Sequence, residues 1–238
     1  MVCRTRSGSI QTAYLDGSLQ VSGVRAYVCC FLNESIVLKD ATQKHGFKNY
    51  IRKLVRNKSV FYMALKAIIL DLDQTLINYS VADTFMKNKQ WDKVYSLVPS
   101  FKMYQGTGDL FKLIKNRNLK ICIVSSFPSE YCQKVISYWK IPYDALICQE
   151  DVTTAPKHKN PIHLALEKLA VKNDEAAFFG DSDTDIEMAN KAGVYSVGCI
   201  WWSDNSGALL GARPDYLVSN PSEIVVFLTK AKDFEKLS

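Results

Sequence analysis

The stretch Ala67-Ile68-Ile69-Leu70-Asp71-Leu72-Asp73-Gln74-Thr75 decides how this 238-residue chain is read. Four uninterrupted apolar residues suit a strand covered on both faces, and the first polar residue after them is an aspartate. Two carboxylates spaced i, i+2 at the carboxyl end of a buried strand can project into one crevice, the place where open α/β sheets bind ligands. Standing alone, the pair could equally be two turn-forming aspartates that bond local amides.

Working outward, short apolar runs recur: Ile121–Val124, Ala145–Cys148, Ala176–Phe179, Tyr195–Ile200 and Tyr216–Val218. Between them, Thr107–Asn116, Ser129–Trp139, Pro161–Leu169, Asp185–Ala192 and Glu223–Ala231 carry apolar residues at helical spacing. Such alternation predicts βαβ units with right-handed crossovers, hence an α/β fold, a Rossmann-like three-layer sandwich with a mainly parallel sheet. Asn160 and Pro161 supply a cap and a first-turn proline for one of these helices. Residues 76–103 break the rhythm and predict a small helical cap insertion, about one helical hairpin, at the mouth of the sheet.

Composition sets the outer limits. At 47% apolar and 23% charged, the chain has material for a core in one domain plus an accessory segment. No apolar run approaches the roughly 20 residues of a membrane-spanning helix, and the start lacks the apolar core of a signal peptide, so a cytoplasmic protein with no membrane partner is expected. Seven cysteines without CxxC spacing read as buried reduced thiols. The net charge of +6 is unevenly spread: residues 1–62 carry ten Lys/Arg against three Asp/Glu, while residues 63–238 are close to neutral. We therefore treat 1–62 as a basic extension of unassigned structure and 63–238 as the main domain. Within the extension, Tyr27–Leu32 and Ile36–Leu38 read as strands and Phe47–Val55 as a basic helix. A basic surface suits a solvated face or, as the rival reading, nucleic acid.

Four constellations bear on chemistry. Asp71 and Asp73 form the first; held close, they repel, which favours a cation between them. Ser125, with Ser126 beside it, ends the second apolar run, where a hydroxyl and backbone amides can hold a phosphate oxygen or simply cap the next helix. Lys157-His158-Lys159 precedes the helix at Pro161, where a lysine could offset charge in the crevice or lie on the surface. Gly180-Asp181-Ser182-Asp183-Thr184-Asp185 follows Ala176–Phe179; the glycine permits a close turn, and oxygen-only ligands suit Mg²⁺. Asp185 could also cap its helix.

Each element falls at the carboxyl end of a successive apolar run. In this order the chain resembles the haloacid dehalogenase superfamily of phosphohydrolases, in particular its phosphoglycolate phosphatase-like branch with a reduced cap, over roughly residues 64–226. The resemblance implies that Asp71 is the nucleophile of an aspartyl-phosphate mechanism and Asp73 the acid/base. It also implies Mg²⁺ bound by Asp71, Asp181 and the backbone carbonyl of Asp73, with Asp185 orienting that shell. Thr75, Ser125, Ser126 and a lysine, Lys159 or its rival Lys157, would serve the phosphoryl group. The family often has Lys-Pro-x-Pro where this chain has Lys157-His158-Lys159-Asn160-Pro161. Asp73 speaks for phosphoryl transfer over dehalogenation, and the short insertion speaks for hydrolysis over a sugar phosphomutase, which must shield its phosphoenzyme from water. A small phosphorylated substrate is the expected partner; the sequence sets neither its identity nor an oligomeric state. A nucleic-acid-binding protein using residues 1–62 is the competing class.

Overall fold

The computed structural model describes residues 65–154, 160–201 and 206–233, and within the first 64 residues only four short strands. The chain divides into two compact units, Met1–Val55 and Arg56–Ser238. In the first, Cys3–Arg4 pairs antiparallel with Ile10–Gln11, and Ser18–Val21 with Val24–Tyr27. Apart from Tyr27, the elements expected at Tyr27–Leu32, Ile36–Leu38 and Phe47–Val55 lie outside the described residues, as does the expected boundary at 62/63.

The second unit is built on six strands: β1 Ala67–Asp71, β2 Lys120–Val124, β3 Ala145–Ile147, β4 Ala176–Gly180, β5 Tyr195–Cys199 and β6 Tyr216–Val218. They lie in the order β6-β5-β4-β1-β2-β3, and every neighbouring pair is parallel. Chain order reverses at β1, so β1 and β4 are inner neighbours that leave a crevice beyond their carboxyl ends. The helices are α1 Asp83–Lys87, α2 Trp91–Leu97, α3 Thr107–Asn116, α4 Ser129–Trp139, α5 Gln149–Thr154, α6 Pro161–Leu169, α7 Asp183–Ala192, α8 Ser206–Gly211 and α9 Pro221–Asp233.

Successive side chains of a strand face opposite ways, and the packing follows that period. Ile68 and Leu70 join Leu110, Ile114, Val135 and Phe227 in one core, whereas Ala67 and Ile69 join Ile162, Ala165 and Leu169 in the other. All five residues of both β1 and β4 are buried, which is why their sequences show no polar alternation. The result is a three-layer sandwich. No helix among the described residues is long and apolar enough to cross a membrane.

Helices α3, α4 and α6 begin and end where the sequence predicts. The Oδ1 of Asn160 accepts from Ile162 N at 2.9 Å, as an N-cap should. Helix α7 starts two residues before the expected Asp185, because Ser182 is its cap, and α9 starts at Pro221. Between β1 and α3, Ile77–Asn78 pairs antiparallel with Lys102–Met103 and encloses α1 and α2. Buried Ile77, Met86, Val94, Val98 and Phe101 tie this segment to the first core, so it is a ribbon bearing two short helices rather than a plain helical hairpin.

Candidate active site

The backbone after β1 turns sharply. Leu72 N donates to Val124 O at 3.0 Å, which carries the chain past the strand end alongside β2. Leu76 N and Ile77 N both donate to Leu72 O, and Gln74 takes a left-handed φ of 62° at the tip. This tight loop buries four consecutive-neighbour polar side chains, those of Asp71, Asp73, Gln74 and Thr75. The Tyr104 hydroxyl donates to Gln74 Oε1 at 3.2 Å and steadies the tip from the side of α3.

Asp181 follows β4, the strand beside β1. Ser182 then caps α7 reciprocally: its Oγ accepts from Asp185 N, and Asp185 Oδ2 accepts from Ser182 N, both at 3.1 Å. A Cβ on Gly180 would meet Asp185 Cβ and the Phe178 ring at 2.7 Å each, so only glycine lets Asp185 come this close to the strand end. Asp185 thus serves its helix and still reaches the crevice. Carboxylate oxygens of Asp71, Asp181 and Asp185 lie within 4.8 Å of one another. Thr75 Oγ1 stands 3.4 Å from Asp181 Oδ1.

Three carboxylates so placed strain against ionisation. Burial, and then the charges of Asp185, Asp181 and Asp73, hold the Asp71 carboxyl well above its ordinary range. Burial followed by Asp185 pushes Asp181 up to about 7, and burial raises Asp185 against the pull of its Ser182 bonds. Asp71 Oδ2 is buried with no hydrogen-bond partner, and none of the ion pairs among the described residues involves these three groups. An orphaned carboxylate oxygen within an all-oxygen donor set fits a hard divalent cation such as Mg²⁺.

Asp73 stands apart from this trio. Its Oδ2 accepts from the Ser125 hydroxyl at 2.8 Å, and its Oδ1 from the Tyr131 hydroxyl at 2.5 Å. Burial outweighs both bonds and raises its carboxyl to about 6. Ser125, immediately after β2, also accepts from Phe127 N at 3.2 Å, whereas Ser126 is exposed. Lys157 and Lys159 lie outside the described residues. Sequence reasoning missed Tyr131, which shares the buried face of α4 with Cys132, Val135 and Ile136 and reads as core there. The aromatics Tyr79, Phe85, Trp91, Tyr95 and Trp201 pack against the first core.

A family model described as haloacid dehalogenase-like hydrolase matches residues 81–199, half of the chain. The match begins after the Asp71–Thr75 loop. Pyrophosphatase PpaX of Oceanobacillus iheyensis is 25% identical over 122 residues, covering 50% of this chain and 57% of that protein. Pyrophosphatase PpaX of Bacillus pumilus is 26% identical over 130 residues, covering 52% and 59%. The chain therefore spans less than two thirds of the length of either relative. A crystal structure titled as a predicted phosphoglycolate phosphatase from Haemophilus somnus superimposes with a TM-score of 0.58 at 16% identity, over 68% of this chain and 97% of that one. At such identity the likeness concerns the fold.

Proposed function

The chain belongs to the haloacid dehalogenase-like hydrolase family, and on that premise we propose that it is a Mg²⁺-dependent phosphomonoester hydrolase working through an aspartyl-phosphate. The observation that carries this reading is the buried, unbonded carboxylate oxygen of Asp71 beside Asp181 and Asp185. Asp71, Asp181, Asp185 and the backbone carbonyl of Asp73 would hold the cation. A bound Mg²⁺ supplies the positive charge that keeps Asp71 ionised and offsets the phosphoryl oxygens.

The chain's own groups then account for both displacements. An Asp71 oxygen attacks phosphorus while the bond to the leaving oxygen breaks, and Asp73 gives that oxygen a proton. In the second half Asp73 takes a proton from water as the water oxygen attacks phosphorus. The acyl phosphate bond breaks, Asp71 returns to its carboxylate, and inorganic phosphate leaves. Thr75 would buttress the nucleophile loop. Ser125 would assist the phosphoryl group after releasing Asp73, with Ser126 beside it and a cation from Lys159 or Lys157.

The ribbon and helices of residues 76–103 would form the small cap, leaving the cleft open to a small phosphorylated substrate. The described cysteines, Cys122, Cys132, Cys148 and Cys199, are free and buried, which supports a reducing compartment, the cytoplasm. Pyrophosphate joins the substrate panel because the relatives named above are pyrophosphatases.

Phosphate release from an aryl phosphate, pyrophosphate and a set of phosphorylated metabolites tests the proposal. Release should require Mg²⁺ and vanish in Asp71→Asn. Retained turnover in that variant overturns the aspartyl-phosphate mechanism, and an isomerised sugar phosphate without net phosphate release identifies a mutase instead.

A further inference from the structure

We infer that Tyr131 is a positioning residue that fixes the Asp73 carboxylate for its proton transfers, an inference that rests on the phosphatase reading above. Its side chain is 0% exposed, and its hydroxyl donates to Asp73 Oδ1 at 2.5 Å. Ser125 donates to the other oxygen at 2.8 Å. Both acceptors of a 9% exposed carboxylate are therefore held by neutral hydroxyls.

The two donors come from different elements. Ser125 follows β2, and Tyr131 lies in the first turn of α4, so when Ser125 turns to the phosphoryl group the Tyr131 hydroxyl is the donor that still holds Asp73. The tyrosine ring is itself held. Its centroid lies 5.3 Å from that of Phe127, 6.0 Å from Trp91 and 6.5 Å from Phe101. A ring packed on three sides cannot follow a wandering carboxylate, so the position of Asp73 is set by α4 and not by the β1 loop alone. Proton transfer to a leaving oxygen is sensitive to displacements of about 1 Å, which gives such fixing a consequence in rate. Trp91 and Phe101 both belong to the inserted segment, so that segment reaches Asp73 through the Tyr131 ring.

A merely structural hydroxyl and a positioning one make different predictions. Loss of a structural hydroxyl lowers stability and slows every substrate alike. Loss of a positioning hydroxyl slows most the substrates whose leaving group needs a proton.

The test compares kcat/KM, which reports phosphoenzyme formation, for the full-length wild type, Tyr131→Phe and Asp73→Asn. Each is assayed with an alkyl phosphate, whose leaving alkoxide needs a proton, and with 2,4-dinitrophenyl phosphate, whose leaving group does not. Phenylalanine keeps the ring contacts, and a cooperative thermal transition verifies the fold. Tyr131→Phe should lose about tenfold or more on the alkyl phosphate and less than about threefold on the activated ester, with Asp73→Asn showing the same pattern more strongly. If Asp73→Asn is selective but Tyr131→Phe loses equally on both substrates, or on neither, the inference falls and the phosphatase reading stands. If Asp73→Asn is not selective, or the wild type releases phosphate from neither ester, the reading of the site falls and takes the inference with it.

Discussion

Thr75 Oγ1 and Asp181 Oδ1, 106 residues apart in sequence, face each other at 3.4 Å across the gap between the loops that follow β1 and β4. The contact joins a side chain of the left-handed β1 loop to a carboxylate of the second loop. It spans the two loops whose carboxylates, those of Asp71 and Asp181, have oxygens within 4.8 Å of each other.

Thr75→Val removes the hydroxyl while keeping the shape. We expect the half-saturating Mg²⁺ concentration for phosphate release to rise about tenfold, the low end for an outer-shell partner of a metal ligand, with a smaller fall in kcat. A Mg²⁺ titration of initial rates checks this; an unchanged half-saturation point contradicts it.

Asp71→Asn should be inactive and yet melt higher than wild type in EDTA. The carboxylate it replaces is buried, lacks a partner at Oδ2 and faces Asp181 and Asp185. Neutralising it should raise the melting temperature at alkaline pH, where the wild-type carboxyl is driven to ionise without a partner, and leave it nearly unchanged at low pH, where that carboxyl is already protonated. A thermal scan that shows no gain would mean the charge is already relieved another way.

The pH dependence of metal-free stability has a defined sign. A folded carboxyl raised above its unfolded value stabilises fully below the ordinary carboxylate range, and that contribution is lost as pH rises through the folded value. Asp73 loses it around pH 6 and Asp181 around pH 7, with Asp71 and Asp185 displaced in the same direction. In EDTA the melting temperature should therefore fall between pH 5 and pH 8, by on the order of 5 °C. Mg²⁺ at about 100 times its dissociation constant should restore about 2.7 kcal/mol at pH 8. At pH 5 it should restore much less, since protonated carboxyls bind it poorly. Parallel melting curves with and without Mg²⁺ would refute the assignment.

Gly180→Ala places a methyl group 2.7 Å from both Asp185 Cβ and the Phe178 ring. Overpacking of this kind costs about 1–3 kcal/mol. Because the displaced residue is Asp185, weaker Mg²⁺ dependence should accompany the lower melting temperature; a loss of stability with unaltered Mg²⁺ response would separate Asp185 from the cation.

Much of this was open to reading because buried parallel strands leave an uninterrupted apolar mark in the sequence. Residues 67–71 and 176–180 carry it, and the aspartates just beyond them fall in the same crevice because their strands are neighbours. Other features left weaker marks. The ribbon strands Ile77–Asn78 and Lys102–Met103 are two residues long and have no period to detect. Helix α5, with the sequence Gln149-Glu150-Asp151-Val152-Thr153-Thr154, buries no residue and so has no apolar stripe. Tyr131 misled in the opposite way: its ring satisfies the core pattern of α4, and only the spatial position of its hydroxyl assigns it to Asp73.

The strand order also decides how long the site survives partial opening. Sheets fray from their rims, and β3 and β6 are the rims here. Asp71 and Asp181 sit on or beside the two innermost strands, whose amides pair on both sides. Amide exchange of β6 and α9 can therefore proceed through local excursions that leave the carboxylate cluster assembled, whereas exchange of β1 requires the whole unit to come apart. Asp71 and the Asp181 loop should therefore outlast the rim strands on unfolding, an order that amide exchange can follow strand by strand.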